Sequence, residues 1–195
     1  VVSVEMDKLT GDILGHLYQG TNNHISPYQK LPLPTNYFDL AISNVPFGNF
    51  GVADAAFRKL PKFLQQSIHN YYFAKALTQI RPGGLIAFIT SAFTMDAPSS
   101  QRLREWLHTN GADFVGAIRL PESAFLQNAG TKVLTDVIFL RKREAGETPT
   151  TTKWFEVKPW TGQNGKTYTV NEYFIDHPEM MIGEAADSEM YAPKK

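Results

Sequence analysis

Asn44-Val45-Pro46-Phe47 follows directly on the apolar run Phe38-Asp39-Leu40-Ala41-Ile42-Ser43. Together these residue types suit one chemical task, the holding of a planar amine. The exocyclic amine of a base is a poor nucleophile because its lone pair is delocalised into the ring. Two acceptors aimed at its hydrogens, the Asn44 side-chain oxygen and the Val45 carbonyl, would favour a pyramidal nitrogen as positive charge builds on it. Pro46 fixes the backbone so that the Val45 carbonyl faces the pocket. Phe47 adds a stacking surface, worth about 1–3 kcal/mol per base. The same four letters also spell an ordinary strand-ending turn, so the choice between the two readings depends on what surrounds them.

The surroundings read as alternating strands and helices. Residues 1–5 are apolar enough for a strand, and Leu9, Ile13, Leu14 and Leu17 then fall on one helical face. A short strand is expected near His24-Ile25, with 38–43 as the central strand and 48–60 as a loop of little regular pattern. Residues 64–80 carry Ile68, Tyr71, Tyr72, Ala76 and Ile80 at helical spacing, and Arg81-Pro82-Gly83-Gly84 is placed to end that helix in a turn. Residues 85–91 form a strand-length apolar run. Pro98-Ser99-Ser100 starts a helix with Leu103, Trp106 and Leu107 buried, and 112–118 and 133–140 read as two further strands. This order implies a parallel sheet covered on both faces, with ligands at the carboxyl ends of its strands, where Asn44 lies. From 145 to 152 the chain turns polar and Thr-rich, as a linker or exposed loop would. Beyond it, Trp154-Phe155-Glu156-Val157 and 166–170 are expected as short strands and Asn171-Glu172-Tyr173-Phe174 as the start of a helix that His177-Pro178 ends. The last dozen residues look too polar to order alone.

Composition narrows the classes of function. A chain of 195 residues, 43% hydrophobic, is long enough for a full core. With no cysteine there is no disulfide framework and no thiolate metal site, and five scattered histidines give no reason to expect a zinc centre. No apolar run approaches the roughly twenty residues of a membrane helix, so a soluble cytoplasmic protein is expected. The formal net charge is zero, which argues against a grip on nucleic acid by bulk charge. Local patches would have to supply it: Arg58, Lys59 and Lys62 just past the motif, with Arg141-Lys142-Arg143 more simply read as surface charge. No Ser-His-Asp arrangement or phosphate-cradling Gly-Lys-Thr element is visible.

The Asn-x-Pro-Phe-Gly segment resembles motif IV of the amino-group DNA methyltransferases, in its adenine-N6 form. The resemblance continues through Ile68-His69-Asn70-Tyr71-Tyr72-Phe73-Ala74-Lys75-Ala76-Leu77, 81–90, Leu120-Pro121 to Phe125 and Thr135-Asp136-Val137-Ile138-Phe139-Leu140. This order is similar to the catalytic half of type I modification subunits and, more closely, to large phage and plasmid proteins that fuse a methylase to a helicase. It covers about residues 2–143, and more loosely 170–183.

The resemblance implies a partial S-adenosylmethionine-dependent methyltransferase fold of the Rossmann-like α/β class, mostly parallel with an antiparallel last strand. Residues 1–144 would be the catalytic half, and 145–195 a linker plus a C-terminal extension. Glu5, at the end of the first strand, would accept the ribose hydroxyls of S-adenosylmethionine, Met6 would pack near its adenine, and Gln29 stands where relatives tend to place an acidic residue for the adenine amine. Asn44, Val45, Pro46 and Phe47 would be the catalytic set, on an adenine base flipped out of DNA. Arg58, Lys59, Lys62 and Lys132 would meet the DNA, with Thr131-Lys132 near the base pocket. The strand and Gly-rich turn that receive the methionine end of the cofactor do not precede Glu5, so the isolated chain is expected to bind cofactor weakly or not at all and to be part of a longer polypeptide with a specificity or helicase module. The alternative is a catalytically inactive module of the same fold that binds DNA or a protein partner in an antirestriction or assembly role.

Overall fold

The computed structural model describes residues 1–48, 50–126, 130, 133–162 and 165–182. In chain order these form β1 (Val2–Glu5), α1 (Lys8–Leu17), β2 (Asn22–Ile25), β3 (Phe38–Asn44), α2 (Phe63–Gln66), α3 (Ile68–Gln79), β4 (Ile80–Ser91), α4 (Phe93–Asp96), α5 (Gln101–Thr109), β5 (Ala112–Leu120), β6 (Thr135–Lys142), β7 (Val157–Thr161), β8 (Thr167–Asn171) and α6 (Glu172–Asp176). Four strands make the main sheet in the order β3-β4-β6-β5, while β1-β2 and β7-β8 are separate pairs. β1 runs parallel to β2 and β3 parallel to β4, whereas β6 is antiparallel to both β4 and β5. This is the α/β architecture expected, with its antiparallel last strand in the 112–140 hairpin.

Side chains alternate across each strand, so the register sorts them onto two faces. Ile86 and Phe88 of β4 and Ile138 and Leu140 of β6 lie on one face and are fully buried. Phe73 of α3 packs its ring 5.1 Å from Phe88, and Phe114 of β5 stacks on Trp154 at 4.8 Å. On the other face Leu40, Ile42 and Leu85 are exposed, Ile42 at 74%. The expectation of cover on both faces is therefore met on one face only among the described residues. Leu9, Ile13 and Leu17 of α1 share a helical face as expected, and that stripe is also exposed.

Four local expectations need correction. The 64–80 helix is two helices, because Ser67 takes extended dihedrals (φ −130, ψ 133) between α2 and α3. Arg81-Pro82-Gly83-Gly84 does not cap α3: the helix passes straight into β4, and the Pro-Gly-Gly stretch absorbs a register shift opposite 38–40, with Gly83 at φ 78. Gly84 is needed there, since a Cβ would come within 2.9 Å of the Asp39 carbonyl. Trp154 and Phe155 precede β7 rather than belonging to it, and the 48–60 loop contains a 3-10 turn (Ala55–Phe57) with Val52 and Phe57 buried.

The 145–182 stretch sends Trp154, Tyr168, Val170 and Phe174 into the same buried cluster as α3 and β4. The helix expected to start at 171–174 is α6, which Asn171 caps by accepting Tyr173 N–H, and the Asn171 amide also donates to the Met95 and Trp154 carbonyls. Beside it Arg119 pairs with Asp136 (2.8 and 3.0 Å) and Asp96 (2.9 Å) beneath the Phe174 ring. Burial pushes the Asp136 carboxyl up to about 6, against the pull of Arg119. No helix among the described residues is long and apolar enough to cross a membrane.

Arg119→Met strands two buried carboxylates and should cost about 3–5 kcal/mol. Ile42→Ala, on the open face, should change stability by less than about 0.5 kcal/mol. Urea unfolding of both variants measures the contrast, and equal losses would contradict the assignment of faces.

Candidate functional site

The β3–β4 pairing sets the position of the motif. Asn44 is the last residue of β3, opposite Ile89, and Val45 N–H donates to the Ile89 carbonyl at 2.9 Å. Alternation turns the Val45 side chain into the core, 1% exposed, while Asn44 and Pro46 are exposed. Among the described residues neither the Asn44 side-chain amide nor the Val45 carbonyl takes a hydrogen-bond partner. The Asn44 amide is therefore open to a ligand at the carboxyl end of the strand, whereas Val45, 1% exposed as a whole residue, has its carbonyl covered, against the expectation that it faces a pocket. Phe47 is 42% exposed and lies nearly parallel to the His69 ring of α3, with centroids 6.0 Å apart.

The loop beyond the motif is held tightly. The Phe50 ring lies against Gly48 where a Cβ would stand, and Gly51 passes so close to α2 that a Cβ would meet the Gln65 carbonyl at 2.8 Å. Val52 N–H donates to the same carbonyl, and the Gln65 side chain bridges Asp54 N–H and the Phe57 carbonyl. Arg58, Lys59 and Lys62 are exposed along this loop, and none forms an ion pair among the described residues. Arg141, Lys142 and Arg143, read from sequence as surface charge, are instead engaged with Glu147, Asn36 and Asp113. Lys132, with Thr131, lies outside the described residues.

Glu5 ends β1, with one carboxylate oxygen accepting Asp7 N–H at 2.8 Å, and Asp7 caps α1 through Thr10 N–H. Met6 is exposed beside it. Burial, and to a lesser degree the Glu5 charge, push the Tyr72 hydroxyl of α3 up in pKa. Gln29 sits in a 3-10 turn (Tyr28–Lys30) whose Tyr28 ring packs against Tyr71 and Tyr72. Tyr28, Tyr71 and Tyr72 thus form one aromatic wall beside the turn that carries Gln29. No group of three or more metal-ligating side chains occurs among the described residues.

Sequence reasoning missed a buried polar cluster behind the site. Lys75 donates to Asp54 (3.2 Å) and the Tyr28 carbonyl (2.7 Å), and Tyr71 donates to Asp54 at 2.6 Å. Burial opposes ionisation of Asp54, yet hydrogen bonds from Tyr71, Ala56 and Lys75 hold its carboxyl below the usual range. A lysine within the aromatic run Tyr71-Tyr72-Phe73 to Leu77 was the available signal.

Burial also lowers the pKa of His69, whose Nε2 is buried without a hydrogen-bond partner among the described residues. The unfolded chain therefore takes up that proton first as pH falls, so this contribution to stability is full above about pH 6.5 and is lost below it. His108 behaves alike. His69→Gln should flatten, without abolishing, the fall in Tm between about pH 7.5 and 5.5. An unchanged profile would remove His69 as a source.

No family model matches the chain. It is 31% identical over 147 residues to "Defense against restriction protein B" of Escherichia phage P1, covering 74% of this chain and 6% of that protein. Among solved structures it resembles a Vibrio vulnificus protein described as the modification subunit of a type I restriction enzyme, with TM-score 0.60, 14% identity, and 98% of this chain on 49% of that one. A Listeria monocytogenes protein described as a class I S-adenosylmethionine-dependent methyltransferase gives TM-score 0.60 at 18% identity, over 77% of this chain and 46% of its own. The methyltransferase subunit of a type I restriction-modification system from Streptococcus thermophilus gives 0.54 at 16% identity, over 91% and 46%. The chain thus spans about half the length of these structures and a small part of the phage protein. It carries the fold of the S-adenosylmethionine-dependent methyltransferases, a fold it shares with the two type I restriction-modification subunits named above.

Proposed function

We propose that this chain is the amine-binding half of a DNA methyltransferase acting on the N6 amine of adenine, within a longer restriction-modification or helicase-methylase polypeptide. The observation that carries this reading is the exposed Asn44 amide at the end of β3, with Phe47 half-exposed beside it. S-adenosylmethionine, when bound, supplies an electrophilic methyl group. The Asn44 oxygen, and the Val45 carbonyl once uncovered, accept the two amine hydrogens and stabilise the charge that develops on nitrogen. Phe47, backed by His69, stacks on the flipped base and offsets part of the few kcal/mol that extrusion costs. Glu5 receives the ribose hydroxyls, Met6 and Gln29 meet the adenine ring, and Arg58, Lys59 and Lys62 contact phosphates near the pocket.

On this reading the chain supplies only part of the cofactor cleft. β1 and β3 are each paired on one side only, in separate sheets, and one face of the main sheet is open among the described residues. A Gly-rich strand-to-helix turn, whose amides would hold an anionic group, is not found among the described residues. This supports a division of the cleft between this chain and another part of the longer polypeptide. The same observation, with the likeness to a defence-against-restriction protein, supports a second reading: a non-catalytic module that binds DNA or a protein partner.

In the longer polypeptide, Asn44→Ala should lower kcat for methyl transfer to unmethylated DNA by about 10²–10³, the usual cost of losing one such acceptor or donor. The cofactor KM should stay nearly constant. Transfer that survives the substitution removes Asn44 from the mechanism, and no transfer by the unsubstituted polypeptide favours the second reading. Calorimetry of the isolated chain should detect weak or no binding of S-adenosylmethionine, and a dissociation constant of about 1 μM, near −8 kcal/mol, would show that its cleft is complete.

A further inference from the structure

The Lys75 side chain is only 7% exposed, although lysine is almost never buried unless it is paired. Its helix does not need it there, since α3 satisfies its own backbone and an apolar side chain would fill the space. What the ammonium does is reach two segments outside its helix. It donates to the carbonyls of Tyr28 and Leu31 (2.7 and 3.4 Å), which bracket Gln29, and to Asp54 at 3.2 Å. It also lies 4.7 Å from the Tyr28 ring centroid, a cation–π contact. Asp54 in turn organises the loop behind Phe47: its side chain accepts Ala56 N–H (2.9 Å) and its carbonyl accepts Phe57 N–H (3.1 Å). Tyr28 is further tied to α3 by its hydroxyl, which donates to Gln79 at 2.6 Å.

We propose that Lys75 is a positioning residue that couples the Tyr28–Lys30 turn to the 52–57 loop, so that the cofactor-side and base-side walls of the site order as one unit. The functional part of this inference rests on the methyltransferase reading given above; the mechanical part does not. One buried cation bonded to both walls means that loosening either one leaves a charge or a carbonyl unpaired at the other. Ligand binding that orders the turn therefore also favours the ordered loop, and the converse holds by linkage.

Hydrogen exchange on the full chain tests the coupling. Lys75→Met keeps the length and helix propensity of the side chain. It should raise exchange about tenfold at Lys30 and Leu31 and, together with them, at Asp54, Ala56 and Phe57, while the β6 amides stay protected. Loosening of one segment alone, or of neither, overturns the proposal. If Lys75→Met does not fold, Asp54→Asn, which keeps an acceptor for Ala56 N–H, serves the same purpose: exchange confined to the loop overturns the coupling, and exchange spreading to the turn supports it. In the longer polypeptide, Lys75→Met should raise KM for both S-adenosylmethionine and DNA more than it lowers kcat, whereas a rise for one substrate only contradicts it. Coupled exchange in a polypeptide without methyl transfer would leave the coupling standing and remove the methyltransferase reading.

Discussion

One backbone hydrogen bond, from Val45 N–H to the Ile89 carbonyl, extends the β3–β4 ladder one step beyond Asn44 and decides what each residue of the motif can do. It fixes the alternation so that Val45 points into the core and Asn44 away from it. A slip of one residue would bury the amide and expose the valine. Pro46 then turns the chain out of the sheet, and Phe47 comes to rest on His69. The candidate amine site is therefore a consequence of strand register, and register here is set by which face of β3 and β4 is covered.

That cover comes from α3 and α5 and from residues far along the chain. Phe73 meets Phe88, and Trp154 stacks on Phe114. Asn171 joins the start of α6 to the end of α4, and Arg104 of α5 donates to the Thr94 and Phe155 carbonyls. Arg104 is wholly buried, and desolvation brings its guanidinium down to about 10. Buried charges of this kind are costly unless every donor is used. Their partners lie on opposite sides of the 97–155 stretch, so they hold the late segment to one arrangement on the sheet. The 145–182 stretch is thus part of what keeps β5 and β6, and through them β4, in place.

The opposite face shows the complementary condition. Leu40, Ile42 and Leu85 on the sheet, and Leu9, Ile13 and Leu17 on α1, are apolar and exposed. Parallel sheets are stable when both faces are covered. Open apolar surface flanking two unjoined parallel pairs is what a site shared with further polypeptide would present. The aromatic wall of Tyr28, Tyr71 and Tyr72 links the β1–β2 unit to α3 across this break, and Lys75 sits behind it.

From sequence alone, the strand–helix alternation, the helix starting at 171 and the place of Asn44 at a strand end were legible from local periodicity or a contiguous motif, and the antiparallel 112–140 hairpin from the resemblance that motif carries. Three things were not. The passage of Arg81-Pro82-Gly83-Gly84 into β4 follows from where Phe38 and Leu40 lie across the sheet, a relation no local window contains. The burial of Trp154 depends on Phe114, forty residues earlier. The Lys75 cluster joins positions 28, 54, 71 and 75, whose side chains meet only when helix and loops pack. Short-range patterns determined which elements form and where the Asn44–Phe47 motif sits among them. Tertiary packing decided which faces are covered and which charges are paired, because desolvation acts on surfaces that distant segments create together.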